Sequence, residues 1–147
     1  MRKFILCTLF TMAVGATSIH GQEWETNYES ALKTASDKSM PIVLVFQGSD
    51  WCAPCIKLDK QIWSTTEFKT YAEGHYVMLQ ADFPRKKKNA LPPEQQENNN
   101  MLAERYNQSG IFPLVAVLDN TGKLLGQTGY KKMTPAEYIE HINSFVK

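Results

Sequence analysis

Cysteine is scarce in this chain: three among 147 residues, Cys7, Cys52 and Cys55. So few thiols exclude a disulfide-stapled scaffold, which draws its stability from several pairs, and an iron–sulfur centre, which needs more thiolates than are present. Histidine is as rare, with His20, His75 and His141. The last two lie in unrelated segments without ligand spacing, so the two close ligand pairs of a structural zinc site are missing, and no metal is expected. An excess of one charge is also lacking: 16 Lys and Arg stand against 15 Asp and Glu, a formal +1. A nucleic-acid surface needs a basic excess to neutralise phosphates, so no nucleic-acid partner is expected. Finally, there is no apolar run long enough for a permanent membrane span.

What is present begins with an address. Arg2 and Lys3 precede an apolar stretch of eleven residues, Phe4–Val14, followed by the small residues Gly15, Ala16, Thr17, Ser18 and Gly21. This is the layout of a secretory signal peptide. We place it at residues 1–21, with cleavage after Gly21 and alternatives after Ala16 or Ser18. Cleavage removes Arg2, Lys3 and no acid, taking the formal charge from +1 to −1. It also removes Cys7 and leaves Cys52 and Cys55 as the only thiols. The expected protein is exported.

The remaining length, 22–147, suits one domain with a real core. Tyr28, Ala31, Leu32 and Ala35 have helical spacing, giving a helix over about 26–37. "PIVLVF" from Pro41 is a continuous β-branched run, as in a strand buried on both faces. A helix follows the cysteines, with Ile56, Ile62 and Trp63 on one face. Ser64 and Glu67 have capping-box spacing, which predicts a helix over 65–73 ending at Gly74. "HYVMLQADF" reads as the next strand. Residues 84–100 are polar and proline-containing, and read as an inserted loop with little core. Its basic run, Arg85–Lys88, reads as solvated loop or docking patch. "NMLAERYN" is a helix. "LVAVLD" and "KLLGQTGY" are strands joined by the turn "DNTG". The last helix opens with Thr134 as N-cap, Pro135 in its first turn and Glu137 completing a capping box; Ile139, Ile142 and Phe145 or Val146 form its inner face. Alternating strands and helices with a final hairpin define an α/β chain with a parallel crossover.

Cys52-Ala53-Pro54-Cys55 sits where the first strand gives way to a helix. A bridge closing so small a loop removes little chain entropy and adds little stability. A c-type haem site would need histidine where Ile56 stands. Redox chemistry suits the placement. At a helix start, unsatisfied amides and the positive dipole end favour thiolate, and thiolate is the species that attacks a disulfide. Cys52 is then the attacking thiol and Cys55, one turn on, the resolving one. Pro54 lacks an N–H and restrains the turn.

"PIVLVFQGSDWCAPC", with "GIFPLVAVLD" about sixty residues later and "GKLLGQTGY" after it, resembles the thioredoxin superfamily, and within it the exported bacterial thiol–disulfide oxidoreductases. The resemblance spans residues 24–147. It implies a thioredoxin-like fold, a central mixed β-sheet flanked by helices, here with an N-terminal helix extension and the inserted loop. It further implies that Cys52 and Cys55 form the redox-active disulfide, with no other cofactor. Trp51 lies beside the pair, Pro113 follows a cis bond, and Phe112 binds the substrate backbone; Pro54 and Gly129 complete the substrate surface. Partners are protein disulfides and a membrane electron donor, and the protein is a monomer.

The resemblance also marks a gap. Family members carry a buried aspartate before the motif and a partner lysine on the next strand. Here "VLVFQ" has no acid, and the lysine position falls near Met78. Water, Asp50 or another group is left to move the proton, and Asp50 reads equally well as a turn residue. Proline before the second cysteine is the reducing members' pattern, so we read a protein-disulfide reductase. An oxidase or isomerase of the same fold, and a binding or chaperone module without turnover, are the alternatives.

Overall fold

The computed structural model describes residues 22–147; the segment read as an export signal, and Cys7 within it, lies outside them. A five-stranded mixed sheet has the order β1-β3-β2-β4-β5. Its strands are β1 (Trp24–Glu25), β2 (Ile42–Gln47), β3 (Val77–Asp82), β4 (Leu114–Leu118) and β5 (Leu124–Thr128). Strands β1, β3 and β2 run parallel, β4 is antiparallel to β2, and β5 to β4.

The alternation of side chains along β2 explains its unbroken apolar sequence. Val43 and Val45 enter a cluster with Met78, Val115 and Val117, covered by Leu58, Ile62, Trp63, Phe68, Tyr138 and Ile142. Ile42, Leu44 and Phe46 enter the opposite cluster with Leu79, Ala116 and Leu118, covered by Ala31, Ala35, Leu102 and Tyr106. Each face buries its own period-two set. Helices α2 (Ala53–Leu58), α3 (Thr66–His75) and α5 (Pro135–Asn143) cover the first; α1 (Tyr28–Lys38) and α4 (Pro93–Tyr106) cover the second.

The structure corrects four details. Residues 84–100 are not all loop: Lys87–Asn89 form a 3-10 turn, and Pro93 already begins α4. That polar first half is held by amide pairs Gln95–Asn99 and Gln96–Asn100 and by Asn99, 1% exposed, donating to the Asp82 carbonyl. The N-cap of α3 is Thr65 rather than Ser64, its hydroxyl accepting from the Phe68 amide. This puts Glu67 out of capping-box register, and the helix runs through Gly74 to His75. The helix after the cysteines widens into a π turn over Asp59–Trp63, closed by the Ser64 amide donating to the Asp59 carbonyl at 2.8 Å. The wide turn lets Ile62 and Trp63 both enter the core. Strand β1 was not anticipated; two residues hold too little pattern to read. At the last helix the expected Thr134–Glu137 capping box is present, Tyr138 joins Ile139 and Ile142 on the buried face, and Val146 is exposed.

Candidate active site

Cys52 is the N-cap of α2, with extended backbone, and Cys55 is its third residue. The two are joined as a disulfide, their Cα atoms 5.2 Å apart. The Cys55 amide donates to the Cys52 sulfur at 3.3 Å. Pro54 occupies the first turn, where a missing N–H forfeits no helical bond. The helix therefore offers its early amide to sulfur without a competing cap. Both cysteines are more enclosed than a turn position suggests, at 3% and 4% exposure, while Ala53 and Pro54 between them face solvent.

Three consecutive residues before Cys52 tie the turn to the end of β3 and the segment after it. Ser49 donates to both Asp82 carboxylate oxygens, from its amide at 2.8 Å and its hydroxyl at 2.6 Å. Asp50 accepts from the Arg85 and Lys86 amides, at 2.9 and 3.0 Å, and from the Asn89 side chain at 2.9 Å. These donors, the Arg85 amide first, hold the exposed Asp50 carboxyl below its ordinary range. Asp50 is thus a structural anchor for the segment 85–89. Trp51 donates from its indole nitrogen to the Phe83 carbonyl at 2.7 Å, and the Arg85 guanidinium lies 3.6 Å over its ring.

Opposite this turn, pairing of Leu114 with Phe46 sets Pro113 beside the exit of β2. The Phe112–Pro113 bond is cis, as expected. The Phe112 ring sits 5.5 Å from both Trp51 and Phe83 in edge-on geometry. Gly129 completes the wall: a Cβ there would stand 3.1 Å from the Pro113 carbonyl, and its own carbonyl accepts from Tyr138 at 2.8 Å. The structure so links Trp51, Phe112, Pro113 and Gly129 in sequence of contact, with Pro54 at the exposed turn. It adds Phe83 and Gly48, which the sequence reading did not single out, and sets Arg85, read there only as part of a basic run, on the Trp51 ring. At Gly48 a Cβ would meet the Trp51 indole at 2.2 Å, so the indole lies flat over a position only glycine leaves open.

Behind Cys55 lies a cavity of about 350 Å³ lined by Trp24, Gln47, Ser49, Ile56, Asp59 and Gln80. Two neutral amides of this lining, Gln47 and Gln80, bond to each other at 3.5 Å. Asp59 is the carboxylate of this lining, and it accepts from Ser64 at 3.1 Å. Among the described residues, no group of three or more His, Cys, Asp or Glu is gathered for a metal, and no helix is long and apolar enough to cross a membrane.

Comparison with known proteins agrees with this geometry. A family profile described as thioredoxin-like matches residues 23–120. The disulfide bond reductase DsbH of Chlamydia pneumoniae is 38% identical over 125 residues, covering 85% of this chain and 73% of that protein. A solved structure of a DsbH oxidoreductase superposes with a TM-score of 0.79 at 34% identity, covering 97% of this chain and 94% of that one. A thioredoxin from Thermus thermophilus shares the fold at 18% identity, with a TM-score of 0.62 over 86% of this chain and 88% of its own.

Proposed function

The chain belongs to the thioredoxin-like family, and from that premise we propose that it reduces protein disulfides after export, with Cys52 as nucleophile and Cys55 as resolving thiol. It is a thiol–disulfide oxidoreductase. The observation that carries the assignment of roles is the Cys55 amide aimed at the Cys52 sulfur. An amide donor at a helix start favours thiolate there and nowhere else in the pair.

The reaction starts from the dithiol. Cys52 thiolate attacks one substrate sulfur, forming a mixed disulfide and expelling the other sulfur as thiolate, which takes up a proton. Cys55, losing its proton, then attacks the Cys52 sulfur and expels the second substrate thiol. Two electrons and two protons pass to the substrate, and Cys52–Cys55 is left as the disulfide. Asp59, which shares the cavity behind Cys55, is the group we assign to accept the Cys55 proton, since Asp50 is engaged by three donors. Trp51, Pro54, Phe112, Pro113 and Gly129 form the substrate surface. No small-molecule cofactor takes part; a membrane electron donor restores the dithiol of the exported monomer.

The reducing direction rests on Pro54 before the second cysteine and on the Chlamydia pneumoniae relative being a named disulfide bond reductase. The test is the reduction potential of the pair, measured in dithiothreitol and glutathione buffers, alongside insulin reduction by wild type and Cys52→Ser. A potential near about −270 mV, with turnover abolished in Cys52→Ser, is expected; a value near about −120 mV makes the protein an oxidant. Insulin turnover that survives Cys52→Ser removes the nucleophile assignment.

A further inference from the structure

The segment after β3 places four contiguous cations, Arg85, Lys86, Lys87 and Lys88, at the rim of the cysteine turn, all exposed. A charge run is ordinarily a solvated face. This one is pinned. Asp50, two residues before Cys52, holds the Arg85 and Lys86 amides and the Asn89 side chain. Arg85 lies on Trp51, the residue adjoining Cys52, and Trp51 in turn packs on Phe112. Loop order is therefore built into the same turn that carries the nucleophile.

None of the four cations forms an ion pair among the described residues, and Lys86 alone feels the Asp50 carboxylate at longer range. The ion pair within 4 Å among those residues is Lys33–Asp37, on α1. Against the four cations this edge carries two acids, Asp50 and Asp82, each bonded to neutral donors rather than to a lysine or arginine head group, so the edge stays positive on balance. Since the whole chain is near neutrality at +1, the positive field here is local. We propose that residues 85–88 form a docking rim that selects protein disulfides flanked by acidic residues. This rests on the reductase reading and names its substrate class. Opposite charge at the rim raises the encounter rate and orients the incoming chain, an effect that salt screens.

The experiment uses two synthetic peptides, each with one intramolecular disulfide, identical except that the flanking positions are all Glu in one and all Gln in the other. Reduction is followed at low and high salt for wild type and for K86Q/K87Q/K88Q. The expected result is a kcat/KM about tenfold higher for the Glu peptide at low salt. That ratio falls toward one at high salt and in the triple variant. Reduction of both peptides at equal rates overturns the docking rim while leaving the reductase reading in place. Equal rates together with lysine-dependent sedimentation on vesicles of anionic phospholipid would assign the rim to a membrane surface instead. Failure to reduce either peptide, by a protein whose dithiol is shown intact by thiol titration, overturns the reductase reading and the rim with it.

Discussion

The amide of Cys55 donates to the sulfur of Cys52 at 3.3 Å, while among the described residues no hydrogen-bond donor is aimed at the sulfur of Cys55. This asymmetry makes chemically identical side chains unequal. The amide and the helix start lower the cost of negative charge on Cys52, whereas Cys55 faces the cavity with Gln47, Gln80 and Asp59. In the reduced protein at neutral pH, limited iodoacetamide is expected to label Cys52 first, read by peptide mass mapping. Equal labelling would mean that the amide does not distinguish them.

Asp59→Asn removes a carboxylate from the cavity behind Cys55 without touching the nucleophile. Attack by Cys52 should keep its rate, and resolution of the mixed disulfide should slow several-fold, about one order of magnitude at most for a single proton-transfer group in a wet cavity. Single-turnover kinetics with a chromogenic disulfide separate the two steps. Unchanged resolution would leave water as the proton acceptor.

Asp50 ties loop order to pH. Its folded pKa lies below the ordinary 3.8 because the Arg85 amide, the Asn89 side chain and the Lys86 amide all bond the ionised form. The bonding is therefore complete above 3.8 and is lost as pH falls through the lowered folded value. Hydrogen exchange at the Arg85 and Lys86 amides should be protected at pH 5 and should lose that protection in Asp50→Ala at every pH. The melting temperature should move little, because the bonds tie down an exposed surface segment, residues 85–89, rather than the core. Protection that survives in Asp50→Ala would show that Arg85 on Trp51 holds the loop alone.

Gly48→Ala places a methyl group where the Trp51 indole lies. The indole must leave, breaking its bond to the Phe83 carbonyl and its contact with Phe112. Turnover of peptide disulfides should fall by about tenfold through KM, since about 1–2 kcal/mol of aromatic packing and one hydrogen bond are at stake. The Cys52–Cys55 potential should be nearly unchanged. A matching shift in potential would show that Trp51 acts on the sulfur pair rather than on the substrate.

Thr134→Ala opens the capping box of α5, in which the Glu137 amide donates to the Thr134 hydroxyl and the Glu137 carboxylate accepts from the Thr134 amide. Loss of about 1 kcal/mol is expected, a drop of about 3–5 °C in Tm for a domain of this size. Thr134→Ser should restore most of it. If both variants melt alike, packing of Tyr138 and Ile142 fixes the helix without its cap.

Local chemistry was enough to read several parts of this protein. The unbroken β-branched run of β2 can satisfy both faces only inside a sheet. Thr134, Pro135 and Glu137 write a helix start over four residues. Cys52 and Cys55 needed only their spacing and their place after a strand to point to thiol chemistry. Other features depend on partners far along the chain. The helix from Pro93 has few apolar residues in its first half and becomes ordered because Asn99 reaches the Asp82 carbonyl and Gln95 reaches Thr26. Thr65 rather than Ser64 caps α3 because the π turn before it fixes where the chain re-enters the helix. Whether Asp50 served proton transfer or the turn was open in the sequence. The structure decides for the turn, because loop donors 35 to 39 positions away converge on its carboxylate. Periodicity, caps and short motifs are set by neighbours within a turn or a strand. Contacts between β2, β3 and β4 are set by burial of two apolar faces at once, and only the closed sheet brings Trp51, Arg85 and Phe112 around the cysteines.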